Sequence, residues 1–162
     1  MAADFEVKLE GVEELKAALR ALPDKLRRRV LLGALRRAGQ VISREAKTIA
    51  PVLAVPKKTR TPGTVRKRIS VRVSKFARQQ GDVGVFVGVR PIRGSAQVKR
   101  LGKASAKNPN DPYYWRFLEF GTKKMPRRPF LTPAASSKGN EAIATFMREV
   151  VPQIEKLNRK GS

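Results

Sequence analysis

Apolar residues recur along the chain with two different periods, which predict the order of helices and strands. Alternation of apolar and charged residues over Phe5–Leu9 predicts a half-buried strand. Helical spacing over 12–22 predicts a short first helix. A longer apolar stripe over 25–50 predicts an amphipathic helix with Asp24 as its N-cap and Pro51 just beyond its end.

The middle of the chain predicts a β-hairpin. Apolar and polar residues alternate over 69–74 and again over 83–90. Between these runs, residues 79–82 include Gly81 and predict a turn. Because alternation places every second side chain on one face, the inner face is predicted to consist of Ile69, Val71, Val73, Val83, Val85, Val87 and Val89.

The C-terminal third predicts two helices separated by an extended segment. Aromatic residues over 113–120 predict a helix that Gly121 closes as a C-terminal cap. Three prolines between 126 and 133 favour an extended backbone. Apolar positions over 134–157 predict a last helix, kinked or interrupted at Pro152.

Together these elements predict an α+β fold. We expect a small antiparallel sheet, made of the N-terminal strand and the central β-hairpin, packed against the long amphipathic helix and the C-terminal helix. The length of 162 residues and the hydrophobic fraction of 41% suit a single domain, expected over 1–157. Two extended basic loops are expected at 52–64 and 91–112, and a flexible tail at 158–162.

The residue types present do not favour catalysis or metal binding. The chain has no cysteine and no histidine, which removes the usual thiolate nucleophile, general base and zinc ligands. No phosphate-cradling glycine motif occurs, and Glu119 is a lone carboxylate of the kind that accepts structural hydrogen bonds or contacts another subunit. We therefore expect no enzyme, no metal and no cofactor. The first residues do not resemble a signal peptide and no apolar run reaches 18 residues, so we expect an intracellular protein without a membrane partner.

The positive charge is concentrated in one part of the chain. The net charge is +23, and residues 46–110, here called the basic block, contain sixteen Lys and Arg but only one acid, Asp82. A solvated face would explain such a block, but dense like charges repel, which favours a surface that binds an anionic partner. Because no helix-turn-helix, zinc or RNP-like pattern is present, binding to nucleic acid would use backbone phosphates. The candidate contacts are Lys57, Lys58, Arg60, Arg66, Lys67, Arg68, Arg72, Arg93, Lys99, Arg100, Lys103 and Lys107.

The most specific motif, here called the signature segment, covers residues 113–134. It consists of an aromatic run, then Glu119-Phe120-Gly121-Thr122, then Pro129-Phe130-Leu131-Thr132-Pro133-Ala134. This motif resembles the tail-component family of tailed bacteriophages typified by gene product 10 of phage HK97. The upstream order agrees, with Gly11-Val12-Glu13-Glu14-Leu15, then Ala50-Pro51 after the long helix, then an entry to the hairpin over 63–69. The loops at 52–64 and 91–112 are longer than the family pattern.

The resemblance implies a structural subunit of the head–tail junction, known as a neck, tail-completion or tail-terminator protein. Such proteins assemble into rings, usually six-fold, around the channel through which DNA leaves the head. The implied partners are further copies of the chain, a head-side connector, adaptor or stopper protein, the tail tube or a tail terminator, and the DNA in the channel. The implied location is the virion, and the host cytoplasm during assembly.

The resemblance also makes the signature segment a candidate for contacts between subunits. The residues concerned are Tyr114, Trp115, Glu119, Phe120, Gly121, Thr122, Pro129, Phe130 and Pro133. Phe130 would anchor a rigid arm on a neighbour, although both Phe130 and Trp115 are equally compatible with places in the chain's own core. The alternative function is a stand-alone nucleic-acid-binding protein without sequence specificity. We also expect the isolated protein to be monomeric, since six copies would carry +138.

Overall fold

The computed structural model describes residues 12–160. Within this range the chain forms α1 (Val12–Ala21), α2 (Asp24–Ile49), α3 (Thr64–Arg68), β1 (Ile69–Val73), α4 (Lys75–Gln79), β2 (Val85–Val89), α5 (Ser95–Leu101), α6 (Trp115–Phe120) and α7 (Leu131–Lys160). The predicted α+β class is confirmed. The predicted strand Phe5–Leu9 lies outside the described residues, and α7 continues into the segment predicted as a tail.

Helices α2 and α7 lie side by side and antiparallel. Ala46 near the end of α2 packs with Ala134 at the start of α7 in a first apolar cluster. At the opposite ends, Val30 of α2 packs with Ile154 of α7 in a second cluster, which α1 also covers. In the first cluster, the small side chains of Ala46 and Ala134 allow a close approach of the two helices. The long amphipathic helix is therefore confirmed, although Pro23 rather than Asp24 occupies the N-cap position.

The two strands form an antiparallel sheet that lies on α2. Ile69 is opposite Val89, and Val73 is opposite Val85. Directly opposite residues share a face, so the odd-numbered residues of both strands form one apolar surface, as predicted. The sheet lies close to α2 at Gly39, where a Cβ would lie 2.9 Å from Val71 Cγ1. A larger residue there would have to displace the sheet side chain.

The connection between the strands is longer than predicted because it contains a short helix. The Ser74 hydroxyl accepts a hydrogen bond from the Ala77 N–H at 3.1 Å and caps α4. Gly81 then adopts a φ of 84°, and the Asp82 N–H donates to the Ala77 carbonyl at 2.8 Å. The turn at 79–82 is therefore present, but β2 begins at Val85 rather than at residue 83.

The stretch 91–112, predicted to be irregular, contains helix α5. Gly94 and Gly102, which suggested a loop, both have a φ of 82° and lie immediately before and after this helix. After the helix, the Asn108 side chain donates hydrogen bonds to the Leu101 and Lys103 carbonyls at 2.9 and 2.8 Å. The glycines thus mark helix boundaries. No helix in the described part of the chain has the length and hydrophobicity needed to cross a bilayer.

The last helix starts earlier than predicted. α7 begins at Leu131, so Pro133 lies in its first turn and not in an extended segment. Proline is tolerated there because the first N–H groups of a helix have no partner within the helix. Pro152 also lies inside α7, which continues past it.

Candidate functional site

The outer face of the hairpin carries an arginine held against an aromatic ring. Arg72 of β1 is directly opposite Phe86 of β2, and its guanidinium lies 4.6 Å from the ring centroid. Its Nη2 also donates to the Val89 carbonyl at 3.3 Å. Cation–π contact and hydrogen bond together fix the direction of this half-buried charge.

Arg68, at the end of α3, is held by three acceptors. Its Nε donates to the Arg90 carbonyl at 2.9 Å, and its Nη2 donates to the Pro91 carbonyl at 3.3 Å and to Gln97 Oε1 at 2.7 Å. These bonds connect the end of α3 with the chain after β2 and with α5. All three partners are neutral, so they position the guanidinium without cancelling its charge.

Further arginines surround these two and form what is here called the arginine cluster: Arg68, Arg72, Arg90, Arg93 and Arg100. Burial, followed by the charges of Arg90 and Arg100, lowers the pKa of Arg68, which the Asp111 carboxylate partly offsets. Burial, followed by Arg90, Arg93 and Arg68, likewise lowers the pKa of Arg72. Arginine remains protonated in proteins, so both guanidinium groups are charged although burial disfavours that charge. The neighbouring arginines add a smaller repulsion, which a bound anion would relieve.

No residue of the basic block forms an ion pair within the described part of the chain. The ion pairs found there are Lys16–Glu13, Arg27–Asp24, Arg37–Glu149 and Lys138–Glu141, all outside 46–110. Three of these pairs join residues one helical turn apart, and Arg37–Glu149 joins α2 to α7. The positive charge of the basic block is therefore not offset by ion pairs among the described residues.

The two basic loops are connected to each other near their ends. The Thr61 N–H donates to the Pro109 carbonyl at 3.1 Å, and the Thr64 hydroxyl donates to the same carbonyl at 3.1 Å. Arg60 lies over the Tyr114 ring at 4.7 Å. The loops 52–64 and 91–112 therefore meet beside the signature segment.

The structure places the twelve predicted basic contacts in two groups. Three are half-buried and oriented by neighbours: Arg60, Arg68 and Arg72. Nine are exposed: Lys57, Lys58, Arg66, Lys67, Arg93, Lys99, Arg100, Lys103 and Lys107. The sequence-based selection missed Arg90, which is exposed and whose N–H donates to the Arg68 carbonyl at 2.8 Å. Its position at the end of the alternating run 83–90 could have identified it as a further basic contact.

The signature segment is built around the carboxylate of Glu119, which is 4% exposed. Oε2 accepts from the N–H groups of Phe130 and Leu131 at 2.9 and 3.0 Å. Oε1 accepts from the N–H and hydroxyl of Thr132 at 2.8 and 2.7 Å. Burial raises the pKa of Glu119, but these four hydrogen bonds together lower it below its usual range. An anion at this position also matches the positive end of the α7 dipole.

Gly121 provides the turn that brings α7 back to α6. Its φ is 75°, and a Cβ there would lie 3.1 Å from the Arg127 nitrogen. Thr122 and Met125 form an isolated antiparallel bridge, and the Arg128 N–H donates to the Leu118 carbonyl at 2.7 Å. The Glu-Phe-Gly-Thr motif is thus explained by a carboxylate cap and a left-handed turn.

The signature residues divide by burial. Phe130, Glu119 and Tyr114 are buried within their own chain; Trp115, Gly121, Pro129 and Pro133 are half-buried; Phe120 and Thr122 are exposed. Phe130 is 0% exposed and lies in the first apolar cluster, so it fills its own core rather than projecting as an arm. Trp115 packs against the same cluster.

Helix α6 carries exposed aromatic side chains, of which the sequence identified Phe120 as a contact residue but not Phe117 or the neighbouring Tyr113. Phe120 is 72% exposed, and Phe117, one helical turn earlier, is 46% exposed. Tyr113 just before the helix is also exposed. Their spacing of three to four residues was the available signal. Phe117 and Phe120 are therefore adjacent exposed apolar side chains on one turn of α6.

A known protein family matches part of this sequence. A family model described as "Bacteriophage HK97-gp10, putative tail-component" matches residues 13–121. The matched range includes α1, α2, the hairpin, α5 and α6 up to Gly121. No curated protein and no solved structure matches the chain. Among the described residues, no group of three or more acidic, histidine or cysteine side chains is arranged to hold a metal ion.

Proposed function

Because the chain belongs to the HK97-gp10-like family of bacteriophage tail components, we propose that it is a structural subunit of the head–tail junction. In this role several copies, six by analogy with related junction proteins, form a ring around the DNA channel and join tail to head. The observation that carries the proposal is the basic block, whose sixteen cations have no ion pair among the described residues. Such a charge favours an anionic neighbour over a merely solvated face, and packaged DNA would supply one.

The arginine cluster suits contact with DNA that also moves through the channel. Arg68 and Arg72 are held by neutral carbonyls, an amide and an aromatic ring, so their charges are positioned before a phosphate arrives. The exposed Arg93 and Arg100 surround them. Contacts of this kind read backbone charge and not sequence. A channel lining needs this property, because any part of the genome passes through it.

The exposed aromatic surface on α6 is our candidate for contact with a neighbouring subunit or another virion protein. Phe117 and Phe120 present apolar area on a helix whose other side is fixed to the core by Glu119. A rigid aromatic surface binds with little loss of conformational freedom. Aromatic residues are also enriched in the energetically important parts of interfaces.

Electron microscopy of a phage that lacks this gene tests the joining role. We expect DNA-filled heads beside separate tails, and joined particles when the wild-type gene is supplied in trans. The purified protein should elute as a monomer in size-exclusion chromatography at moderate salt, because its charge opposes self-association without DNA or acidic partners. Normal joined particles from the deletion phage would contradict the proposal.

The arginine cluster also supports a second candidate, a stand-alone nucleic-acid-binding protein. This candidate predicts tight binding of duplex DNA by the isolated protein, with an affinity that falls steeply as salt increases. It also predicts joined particles without the gene. Tight solution binding together with intact deletion particles would favour it over the junction role.

A further inference from the structure

An apolar groove of about 780 Å3 lies between α7 and β2, with α2 along its base. Its apolar walls include Leu35 and Ile42 of α2, Val85 and Val87 of β2, and Ile143 and Phe146 of α7. No described segment of the chain covers these side chains. An apolar surface of this extent is usually covered by another segment or by a partner.

One side of the groove is the free edge of the sheet. The Arg90 N–H donates to the Arg68 carbonyl, and the Ser74 N–H donates to the Gly84 carbonyl, both at 2.8 Å. The even-numbered residues of this strand therefore turn their main-chain groups towards β1. Because the pattern alternates, Val85 and Val87 turn their N–H and C=O groups to the opposite edge, where no strand lies among residues 12–160. An unpaired edge beside an apolar groove is a template for one more strand.

We propose that Phe5–Leu9, which lies outside the described residues, occupies this groove as a third strand beside β2. Its apolar residues Phe5, Val7 and Leu9 alternate with two charged ones, so one face suits the groove and the other suits water. The segment has five residues, the same number as β2. The chain therefore contains an occupant that matches the groove in pattern and length.

The position of α1 sets the direction of this strand. Leu15 of α1 packs on the second cluster together with Phe146, which also lines the groove. Val89 belongs to the first cluster at the other end of α2, so Val85 lies nearer to α1. Residues 10–11, which end in a glycine, join the strand to α1 over this short distance. The strand thus runs antiparallel to β2.

This direction gives a definite register. Leu9 pairs with Val85 and Val7 with Val87, and both pairs exchange main-chain hydrogen bonds. Phe5 lies opposite Val89, whose carbonyl also accepts a hydrogen bond from Arg72 Nη2. All six side chains then face the groove and the helices, because directly opposite residues share a face. The result is a three-stranded sheet whose inner surface is continuous from β1 to the N-terminal strand.

A disulfide between introduced cysteines tests the register. The chain has no cysteine, so a bridge can form only between introduced ones. Hydrogen-bonded antiparallel pairs have Cα atoms about 5.5 Å apart, within disulfide range. On oxidation, Val7→Cys with Val87→Cys should give a monomer whose intact mass is lower by two hydrogens. The control, Lys8→Cys with Val87→Cys, should stay reduced under the same conditions, since residue 8 faces the other way.

Hydrogen exchange of the full-length wild-type protein provides a second measurement without cysteines. We expect the Val87 amide to exchange at least about tenfold more slowly than in a Val7→Pro variant, which cannot donate at that position and disrupts the strand. A disulfide-linked dimer would overturn the proposal and show that a second copy supplies the strand. A wild-type Val87 amide without protection would overturn it and leave the groove for another virion protein.

Discussion

Glu119 Oε2 accepts a hydrogen bond from the Phe130 N–H at 2.9 Å, and this contact joins the end of α6 to the start of α7 across eleven positions of sequence. The same carboxylate satisfies the next two N–H groups of α7. It therefore acts as an N-cap supplied from another helix. Phe130, whose N–H it holds, is placed with its ring fully inside the first apolar cluster.

Replacement of Glu119 by glutamine should destabilise the fold without a change in side-chain size. The variant lacks the charge that receives four hydrogen bonds, and one of its terminal groups becomes a donor facing other donors. We expect the free energy of unfolding to fall by about 1.5–3 kcal/mol, the range for a hydrogen bond to a charged group. Urea denaturation measures this. The control Glu141→Gln, at an exposed acid paired only with Lys138, should change stability by less than about 0.5 kcal/mol.

The contribution of Glu119 to the free energy of unfolding should disappear at acid pH. Because its pKa is lowered in the folded protein, it stabilises the fold fully above the unfolded-state pKa of about 4.3, and this stabilisation is lost as pH falls through the folded-state pKa. The gap in unfolding free energy between wild type and Glu119→Gln should therefore be constant near neutral pH and shrink at acid pH. A gap that is independent of pH would mean that the hydrogen bonds do not depend on the carboxylate charge.

Phe130 and Phe120 lie in one motif but should respond differently to truncation. Phe130→Ala empties a fully buried position and should cost about 3–5 kcal/mol in unfolding free energy. Phe120→Ala removes a ring that is 72% exposed and should leave stability within about 0.5 kcal/mol. If α6 contacts a partner as proposed, Phe120→Ala should nevertheless lower the yield of joined particles in a complementation assay. Full complementation by a stably folded Phe120→Ala protein would argue against that surface.

The sequence predicted the elements with clear periodicity and missed those set by local geometry. The alternation around Val71 and the long stripe of α2 identified the hairpin and the main helix, because burial of one face determines both patterns. Helix α5 was missed because Gly94 and Gly102 look like loop residues when their φ angles are unknown. A seven-residue helix carries too few turns for its periodicity to outweigh them.

The candidate site was likewise predictable from the sequence only in part. The positive charge of the basic block is a property of composition and is visible in the sequence. Its organisation around Arg68 is not, because the acceptors at Arg90, Pro91 and Gln97 come from a different part of the chain. The role of Phe130 was likewise undecided, since an aromatic residue between prolines suits an external arm or a core position equally well. Only the turn at Gly121 decides between them, by returning the chain to its own core.

Gly121 should tolerate no side chain. Gly121 has a φ of 75° and a ψ of 179°, a backbone region that essentially only glycine adopts, so alanine there costs about 1–3 kcal/mol. Its Cβ would also crowd the Arg127 nitrogen at 3.1 Å. Gly33→Ala is the matched control, because this glycine lies inside α2 and a Cβ there meets nothing within 4 Å. We expect a lower melting temperature for Gly121→Ala and a higher one for Gly33→Ala, which gains about 0.5–1 kcal/mol from helix propensity. Equal effects would show that Gly121 is not required for its backbone conformation.

The arginine cluster should contribute more to DNA binding than exposed arginines elsewhere on the chain. The double variant Arg93→Gln, Arg100→Gln removes two exposed charges from the cluster, whereas Arg36→Gln, Arg44→Gln removes two from the exposed face of α2. Binding of a short duplex is measured by fluorescence anisotropy over a range of salt concentrations. The slope of log K against log salt should decrease in magnitude by about 0.9 for each phosphate that the variant no longer neutralises.

Both double variants remove the same total charge, so they separate location from net charge. If the cluster faces the phosphates, its variant should decrease the magnitude of the salt slope by up to about 1.8, while the α2 variant leaves the slope close to that of the wild type. Affinity should fall uniformly across unrelated duplex sequences, because backbone contacts carry no sequence information. Equal slopes for the two variants would mean that binding depends only on net charge, and the arginine cluster would then have no special part in contacting DNA.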